Sequence, residues 1–340
     1  MIPSYTLTSY LSLVNVCPLP FLLPGLHQDE GDIEEMEHVR TNRVVGGLRP
    51  FRRQRVWLAG YLCVLPALLA ISVFSLFPVF FSLRTSLFEW NLIAPTQTYV
   101  GLRNFERLWA SDEFWQVLRN TLFFSVGTVA LIVILSLALA MVLDVPLRGI
   151  GIFRALFFVP HLTPMVAIAT LWLFMYDPEQ GLFNQALGVV GIDGPGWLQS
   201  TTWALPALIF MKTWKAVGYY TVLFLAGLQS IPQDLHEAAK VDGANLAQRI
   251  RHVTLPLLSP MTLFVVVIAV IGSFQDFDQV FMMTQGGPVN STTVLVYYLY
   301  EQAFQNYQVG LGSAIAVILL VLLVAFTALQ LWLSRRWVHY

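Results

Sequence analysis

Lys212 and Lys215 lie in IFMKTWKAVGYY, and Asp276 and Asp278 lie beside Gln275 in IGSFQDFDQVFMM; both stretches are strongly apolar. A charge carried to the middle of a bilayer costs about 2.5–3.5 kcal/mol on insertion scales, so such residues are paired, snorkel to an edge, or line water. Two chemistries suit them. One is ion pairing between the two segments. The other is a water-lined path for a hydroxylated solute, in which Trp214, Lys215, Tyr219, Phe274, Gln275, Asp276, Phe277 and Asp278 combine aromatic faces with amide, carboxylate and ammonium groups. Residues for covalent chemistry are not grouped. There is no GxxxxGK[ST] phosphate loop, HExxH or CxxC, and no convincing nucleophile or metal cluster. The chain therefore does not hydrolyse ATP, and energy for any work must come from another polypeptide or an ion gradient.

The elements that position these residues follow from composition. Charged residues make up 11% of the 340 positions and hydrophobic ones 56%. Soluble domains carry about 25% charged residues, so a multi-span, all-α integral membrane protein is expected. Apolar segments at 57–83, 120–143, 152–176, 202–227, 257–283 and 311–334 each supply about 20 residues, enough to cross about 30 Å of hydrocarbon. Pro160 and Pro164 should kink the third, and His161 between them is read as packing near the membrane edge. A net charge of −1 gives no footprint for nucleic acid, and Cys17 and Cys63 are read as two free thiols.

Loop charges set the orientation. With the N-terminus inside, the cytoplasmic segments hold Arg49, Arg52, Arg53, Arg55, Arg148, Arg154, Lys240, Arg249, Arg251, Arg335 and Arg336. The outer loops at 177–200 and 284–310 have no Lys or Arg. The first outer loop has Arg84, Arg103, Arg107 and Arg119, diluted by Glu89, Glu106, Asp112 and Glu113. That is a positive-inside pattern with both termini cytoplasmic. Trp90, Trp109 and Trp115 in the first outer loop suit an interfacial belt.

The longest polar run between apolar segments in the second half, HEAAKVDGANLAQRIRHVTLP at 236–256, is then cytoplasmic. Ser230-Ile231-Pro232-Gln233 reads as a helix start with a Ser cap and a capping-box Gln. Ile231, Leu235, Ala238 and Asp242 share one helical stripe; Gln233, Glu237 and Lys240 share another. Asp242-Gly243 breaks the helix, and a second one at about 244–253 should stop before Pro256. By physics alone the loop could rest on lipid headgroups.

EAAKVDGA followed by a basic-apolar stretch and LP resembles the EAA loop of permease subunits of binding-protein-dependent ABC importers. Glu237, Ala238, Ala239, Asp242, Gly243, Ala244, Leu255 and Pro256 carry the match, and Ile250 stands where an aromatic is more usual. NFERLWASDEFWQVLRNT, DPEQGLFNQALG with PGWL, and TQGGPVNST resemble the sugar-type branch of that family, so the likeness runs from about 57 to 337. It implies a six-helix permease fold in the bacterial-type inner membrane, with a cytoplasmic coupling helix at 228–256. Two cytoplasmic ATPase subunits would bind ATP and Mg, leaving this chain without a cofactor. A second, different permease chain and an external solute-binding protein would complete the complex. The substrate contacts of the family come from the fourth and fifth spans. The competing class is a secondary carrier or channel with Asp276 and Asp278 as a relay, which leaves the Glu237 loop unexplained. Cargo among neutral sugars and phosphorylated polyols stays open. Residues 1–55 are expected to form a mobile cytoplasmic extension before a permease domain at 56–340, with Met36 as an alternative translation start.

Overall fold

The computed structural model describes residues 50–336 apart from Leu92, Ala94, Pro95 and Pro146, and side chains from Gly60 onward. The expected extension up to 49, the start at Met36, Cys17 and the side chains of Arg49, Arg52, Arg53 and Arg55 lie outside the described residues. Residues 50–55 already belong to a helix, α1, Pro50–Ile71.

Two units divide between Ala70 and Ile71. The described part of the first is α1, whose side chains from Gly60 onward are all exposed and include the free thiol of Cys63. The second begins with a π-helical turn, Ser72–Leu76, and α2, Phe77–Thr85. A short antiparallel pair, β1 Phe88–Glu89 with β2 Thr98–Tyr99, interrupts the otherwise helical chain. Then come α3 Arg103–Trp109, α4 Asp112–Leu143, α5 Ile150–Leu162, α6 Met165–Met175, α7 Leu182–Val189 and α8 Ala204–Gln229. A polar group follows: α9 Gln233–Val241, α10 Leu246–Arg249, a π turn at Ile250–Thr254, and α11 Leu255–Leu257. The chain closes with α12 Ser259–Phe274, α13 Asp278–Met283, α14 Leu295–Tyr300, a π turn at Glu301–Gln305, and α15 Val309–Ser334.

Among the described residues, three stretches are long and apolar enough to cross a membrane: Gly60–Thr85, α4 and α15. Two bent pairs raise the number to five. They agree with the kink expected from the prolines in 152–176 and correct the expectation of one unbroken span at 257–283. The former is broken between α5 and α6 with a 96° bend. Thr163 adopts extended geometry, ψ 135°, because the ring of Pro164 excludes the helical conformation from the residue before it; Pro160 is carried inside α5. The latter bends by 66° between Leu246–Leu257 and α12, and ends at Phe274. Residues 275–277 are non-helical before α13 begins. The remaining segment, α8, is 26 residues, about 39 Å of helix. It carries two lysines, but 15 of its residues are buried by neighbouring elements, so it does not need an all-apolar surface.

Packing centres on α8. Phe124, Trp172, Tyr176, Leu208 and Met211 form one apolar cluster; Ile132, Phe224, Leu258 and Val265 form a second. A third, with Phe114, Leu295 and Ile315, joins α4, α14 and α15. Small residues allow close approach without lipid-exposed polar groups. At Gly218, where α8 crosses α5, a Cβ would overlap the carbonyl oxygen of Phe157. Hydroxyls inside helices bond the preceding turn, as Thr213 does to the Ile209 carbonyl at 2.8 Å. Ser111 caps α4, its hydroxyl accepting from the Phe114 N–H, and Asp112 and Glu113 complement the helix dipole.

The segment between α13 and α15 is tied to the start of α4. Asn120 Nδ2 donates to the carbonyls of Asn290 (2.8 Å) and Thr293 (3.2 Å), and Thr121 Oγ1 accepts from the Leu295 N–H at 2.9 Å. Asn290 Nδ2 donates to Glu113 at 2.9 Å, and the Tyr298 hydroxyl donates to the same carboxylate at 3.4 Å. Burial, with Glu113 nearby, pushes the Tyr298 hydroxyl up to about 12. The same two causes in the same order hold the Glu301 carboxyl above its usual range.

Two outcomes follow. Gly218→Val forces a side chain against a backbone carbonyl and should cost about 3 kcal/mol, the upper end for overpacking, read as a lower thermal midpoint in detergent. Ionising Glu301 opposes folding, so its favourable contribution exists below the ordinary carboxylate range and is lost as pH rises through its elevated folded value. Glu301→Gln should therefore raise the midpoint at neutral pH, an advantage that disappears on acidification to about pH 4.

Candidate coupling loop and intramembrane polar cluster

The loop after α8 is folded by its own ends. Ser230 does not cap α9 as the sequence suggested. It closes α8 instead, its hydroxyl donating to the Gly227 carbonyl at 2.7 Å, and Pro232 occupies the cap position without a side-chain bond. The exit of α9 is a Schellman motif. The Gly243 N–H bonds the Lys240 carbonyl at 3.0 Å, and the Ala244 N–H bonds the Ala239 carbonyl at 2.9 Å. Gly243 sits at φ +81°, a left-handed conformation that side chains other than glycine's resist, although the space around it is open.

The capping box lies one helix later. Asn245 Oδ1 accepts from the Gln248 N–H at 2.9 Å, and Gln248 Oε1 accepts from the Asn245 N–H at 2.8 Å. The spacing N-x-x-Q is the signature that would have located it. The second helix also runs past Pro256 to Leu257 instead of stopping before it. A π turn at Ile250–Thr254 ends two residues before the proline and shifts the bonding register ahead of the missing N–H.

None of the α9 residues is buried. Glu237, Ala238, Lys240, Asp242 and Gly243 are exposed, and Ala239 and Ala244 are half-buried. Among the described residues Glu237, Lys240 and Asp242 have no ion-pair partner. Ile231 is buried, but Leu235, on its predicted stripe, is 43% exposed, and Val241 and Leu246 are 88% and 64% exposed. Small and apolar side chains thus stay unpacked on a polar, exposed stretch.

At mid-chain the structure joins Lys212 to Asp276 at 3.0 Å, with Asp276 almost fully enclosed. This is the interhelical ion pair of the first sequence reading. The Lys215 ammonium donates to the carbonyls of Thr163 (2.9 Å), His161 (3.2 Å) and Pro160 (3.3 Å). It thereby satisfies backbone oxygens released where α5 breaks. One helix, α8, thus supplies a cation to each of two broken spans. His161, exposed, stacks on Tyr219 with centroids 4.6 Å apart.

The other candidates divide. Gln275 and Asp278 are exposed at the α12–α13 break, and Trp214 is partly exposed while its ring meets Trp172 at 5.3 Å. Phe274 is buried against Phe326, and Phe277 packs with Phe281 and Tyr300. Gln279 was missed. It is fully buried, and neither of its amide atoms has a partner. An amide in an apolar stretch right after an Asp-Phe-Asp break was the available signal.

Lys212→Met leaves Asp276 enclosed without its partner and should cost about 3–5 kcal/mol, whereas Lys212→Met with Asp276→Leu should recover most of that loss. Thermal unfolding of the two variants in detergent measures the difference; equal destabilisation would remove the pair from this account.

Comparison with known proteins accords with this geometry. Residues 133–339 match the family described as the binding-protein-dependent transport system inner membrane component. The chain is 37% identical over 279 residues to the trehalose/maltose transport system permease protein MalF of Thermococcus litoralis, covering 81% of this chain and 93% of that one. It is 36% identical to the lactose transport system permease protein LacF of Rhizobium radiobacter, covering 82% and 94% of the two chains. With the sn-glycerol-3-phosphate transport system permease protein UgpA of Yersinia pestis it shares 34% identity, over 84% and 96%. Its fold is similar to a chain in the crystal structure of a bacterial ABC transporter involved in the import of the acidic polysaccharide alginate, with TM-score 0.73, 24% identity, and 83% and 96% coverage. A permease of this kind is not an enzyme, and its transport depends on a solute-binding protein. The chain belongs to the inner-membrane components of binding-protein-dependent transport systems.

Proposed function

We propose that this permease forms one half of the pathway of an ATP-driven carbohydrate importer, and that α9 to α11 transmit movement from a cytoplasmic ATPase. The observation that carries the reading is the state of α9: fixed through its ends, without a buried residue, and bearing exposed Leu235 and Val241, with exposed Leu246 at the start of α10. A helix of this kind docks into a groove of another protein. Glu237 and Lys240 would set its register there, and Ala238 and Ala239 would let the groove wall approach the backbone. Gly243 fixes the angle between α9 and α10, and Pro256 carries the motion into α12. ATP and Mg would be held by two copies of the ATPase, outside this chain. A second, different permease chain would complete the pathway.

Carbohydrate is the cargo class because relatives at 34–37% identity are named for trehalose/maltose, lactose and sn-glycerol 3-phosphate. The positive-inside distribution of loop charges supports a cytoplasmic side for both termini and α9. Trp214, Gln275 and Asp278, exposed near the breaks, are the side chains open to a hydroxylated solute; Lys215, Tyr219, Phe274 and Asp276 would shape that path from behind. A relay through Asp276 is disfavoured by its ion pair with Lys212.

Glu237→Lys and Gly243→Val should each lower ATP-dependent uptake into proteoliposomes by roughly tenfold or more, the latter because a β-branched residue at φ +81° costs about 1–3 kcal/mol. Uptake should survive a protonophore and stop with vanadate. Import at full rate by both variants would overturn the proposal.

A further inference from the structure

A cavity of about 400 Å³ opens between the first turns of α4, the residues leading into α8, and the loop after α13. Neither Lys212 nor Asp276 lines it, and it is on the side that the loop charges assign to the outside. Its floor is built. Gln116 Nε2 donates to the Val289 carbonyl at 3.1 Å, and Asn120 holds the Asn290 and Thr293 carbonyls, so the loop is pinned to α4.

Three features ask for a ligand. Arg119 lines the cavity and, among the described residues, has neither a hydrogen bond nor an ion pair. The Ser291 hydroxyl, also in the lining, is buried and without a partner; such a group is rarely left so unless something bonds it. Phe123, 56% exposed, shares the lining with Thr201 and Thr202, whose hydroxyls have no partner among the described residues. A planar guanidinium fork suits a carboxylate or phosphate. Hydroxyls that both donate and accept suit sugar hydroxyls, and an apolar face suits the ring. The volume falls within the usual range for small-molecule sites, about 300–1,000 Å³.

We infer that this cavity is an entry site for a hydroxylated ring bearing an anionic substituent, a carboxylated or phosphorylated sugar, held by Arg119, Ser291 and Thr202 before it reaches the intramembrane path. The inference rests on the proposed carbohydrate import and narrows its cargo. Sequence reading left anionic cargo open on the strength of Lys212 and Lys215. The structure engages both of those elsewhere, and Arg119, unpaired among the described residues, lines the entrance.

The test is saturation-transfer NMR on the full chain, with its co-purifying subunits, in phosphatidylcholine nanodiscs, using glucuronate, glucose 6-phosphate and glucose as probes. Ring protons of the two anionic sugars should receive more saturation than those of glucose. Arg119→Gln should abolish that preference and weaken glucuronate binding about tenfold or more; because Arg119 has no hydrogen bond or ion pair among the described residues, the fold should persist, and unchanged thermal unfolding checks this. Ser291→Ala should weaken all three probes. Equal transfer to the three sugars, an Arg119→Gln variant that behaves as wild type, or loss of the glucuronate signal when phosphatidylglycerol replaces phosphatidylcholine would overturn it. The last result would mark a lipid headgroup seat. No nucleotide enters the measurement, so its failure is distinct from failure of the Glu237 and Gly243 uptake test.

Discussion

In hydrocarbon, a backbone carbonyl or a charge without a partner has no water to turn to, and that constraint organises this chain. Two of its spans are broken, at Thr163–Pro164 and at 275–277. Each break exposes polar groups at a depth where they would cost several kcal/mol apiece. Both are answered from a single helix: Lys215 bonds the carbonyls at the first, and Lys212 pairs with Asp276 at the second. The remaining features of α8 follow. It is enclosed along much of its length because it must reach both breaks, and Gly218 brings it against the α5 backbone, one turn from Lys215.

The polar loop obeys the opposite rule. Lying in water, it needs no tertiary packing to satisfy its backbone. A Schellman exit at Gly243 and a capping box at Asn245 and Gln248 close its helix ends locally. This independence leaves the α9 surface free. Were Leu235 or Val241 needed for the chain's own core, they could not also fit a partner's groove. The rigid connection onward is covalent: α10, the π turn and α11 run without a loop to Leu257, one residue before α12. Only the turn at 242–245 separates α9 from this helical stretch.

How much of this could be read from residues depends on the range of the interaction. The polar character of the loop and its break at Gly243 depend on local composition and glycine chemistry, and the chain does turn left-handed at Gly243; the apolar segments at 152–176 and 257–283 are legible as composition but not as single helices. The kink at Pro164 was legible for the same reason. The break after Phe274 was not, since Gln275-Asp276-Phe277 contains neither proline nor glycine; a lysine more than sixty positions earlier supplies the partner for Asp276. The capping box was misplaced because Ser230 and Asn245 both offer an acceptor three residues before a Gln, and only the path of α8 decides that Ser230 ends one helix instead of starting the next. The roles of Lys212 and Lys215 could not be separated in sequence: three residues apart, they are close to one face of α8, and their partners come from opposite directions in the chain.

That separation bears on how such a protein can move. Lys215 binds three carbonyls whose orientation is set by Pro164, so displacing it would strand several acceptors at once. Lys212 holds one carboxylate, and that carboxylate is flanked by exposed Gln275 and Asp278. An ion pair with polar groups adjacent to it can exchange partners as solute or water enters, because the enclosed charge is never left alone. The break at 275–277 is thus the less costly of the two to rearrange. Gln279, fully buried with its amide unbonded just beyond that break, is a group that would gain from the rearrangement. The two lysines make α8 a fixed support on its α5 side and an exchangeable one on its α12 side, an asymmetry suited to alternating access by movement of one set of helices against another.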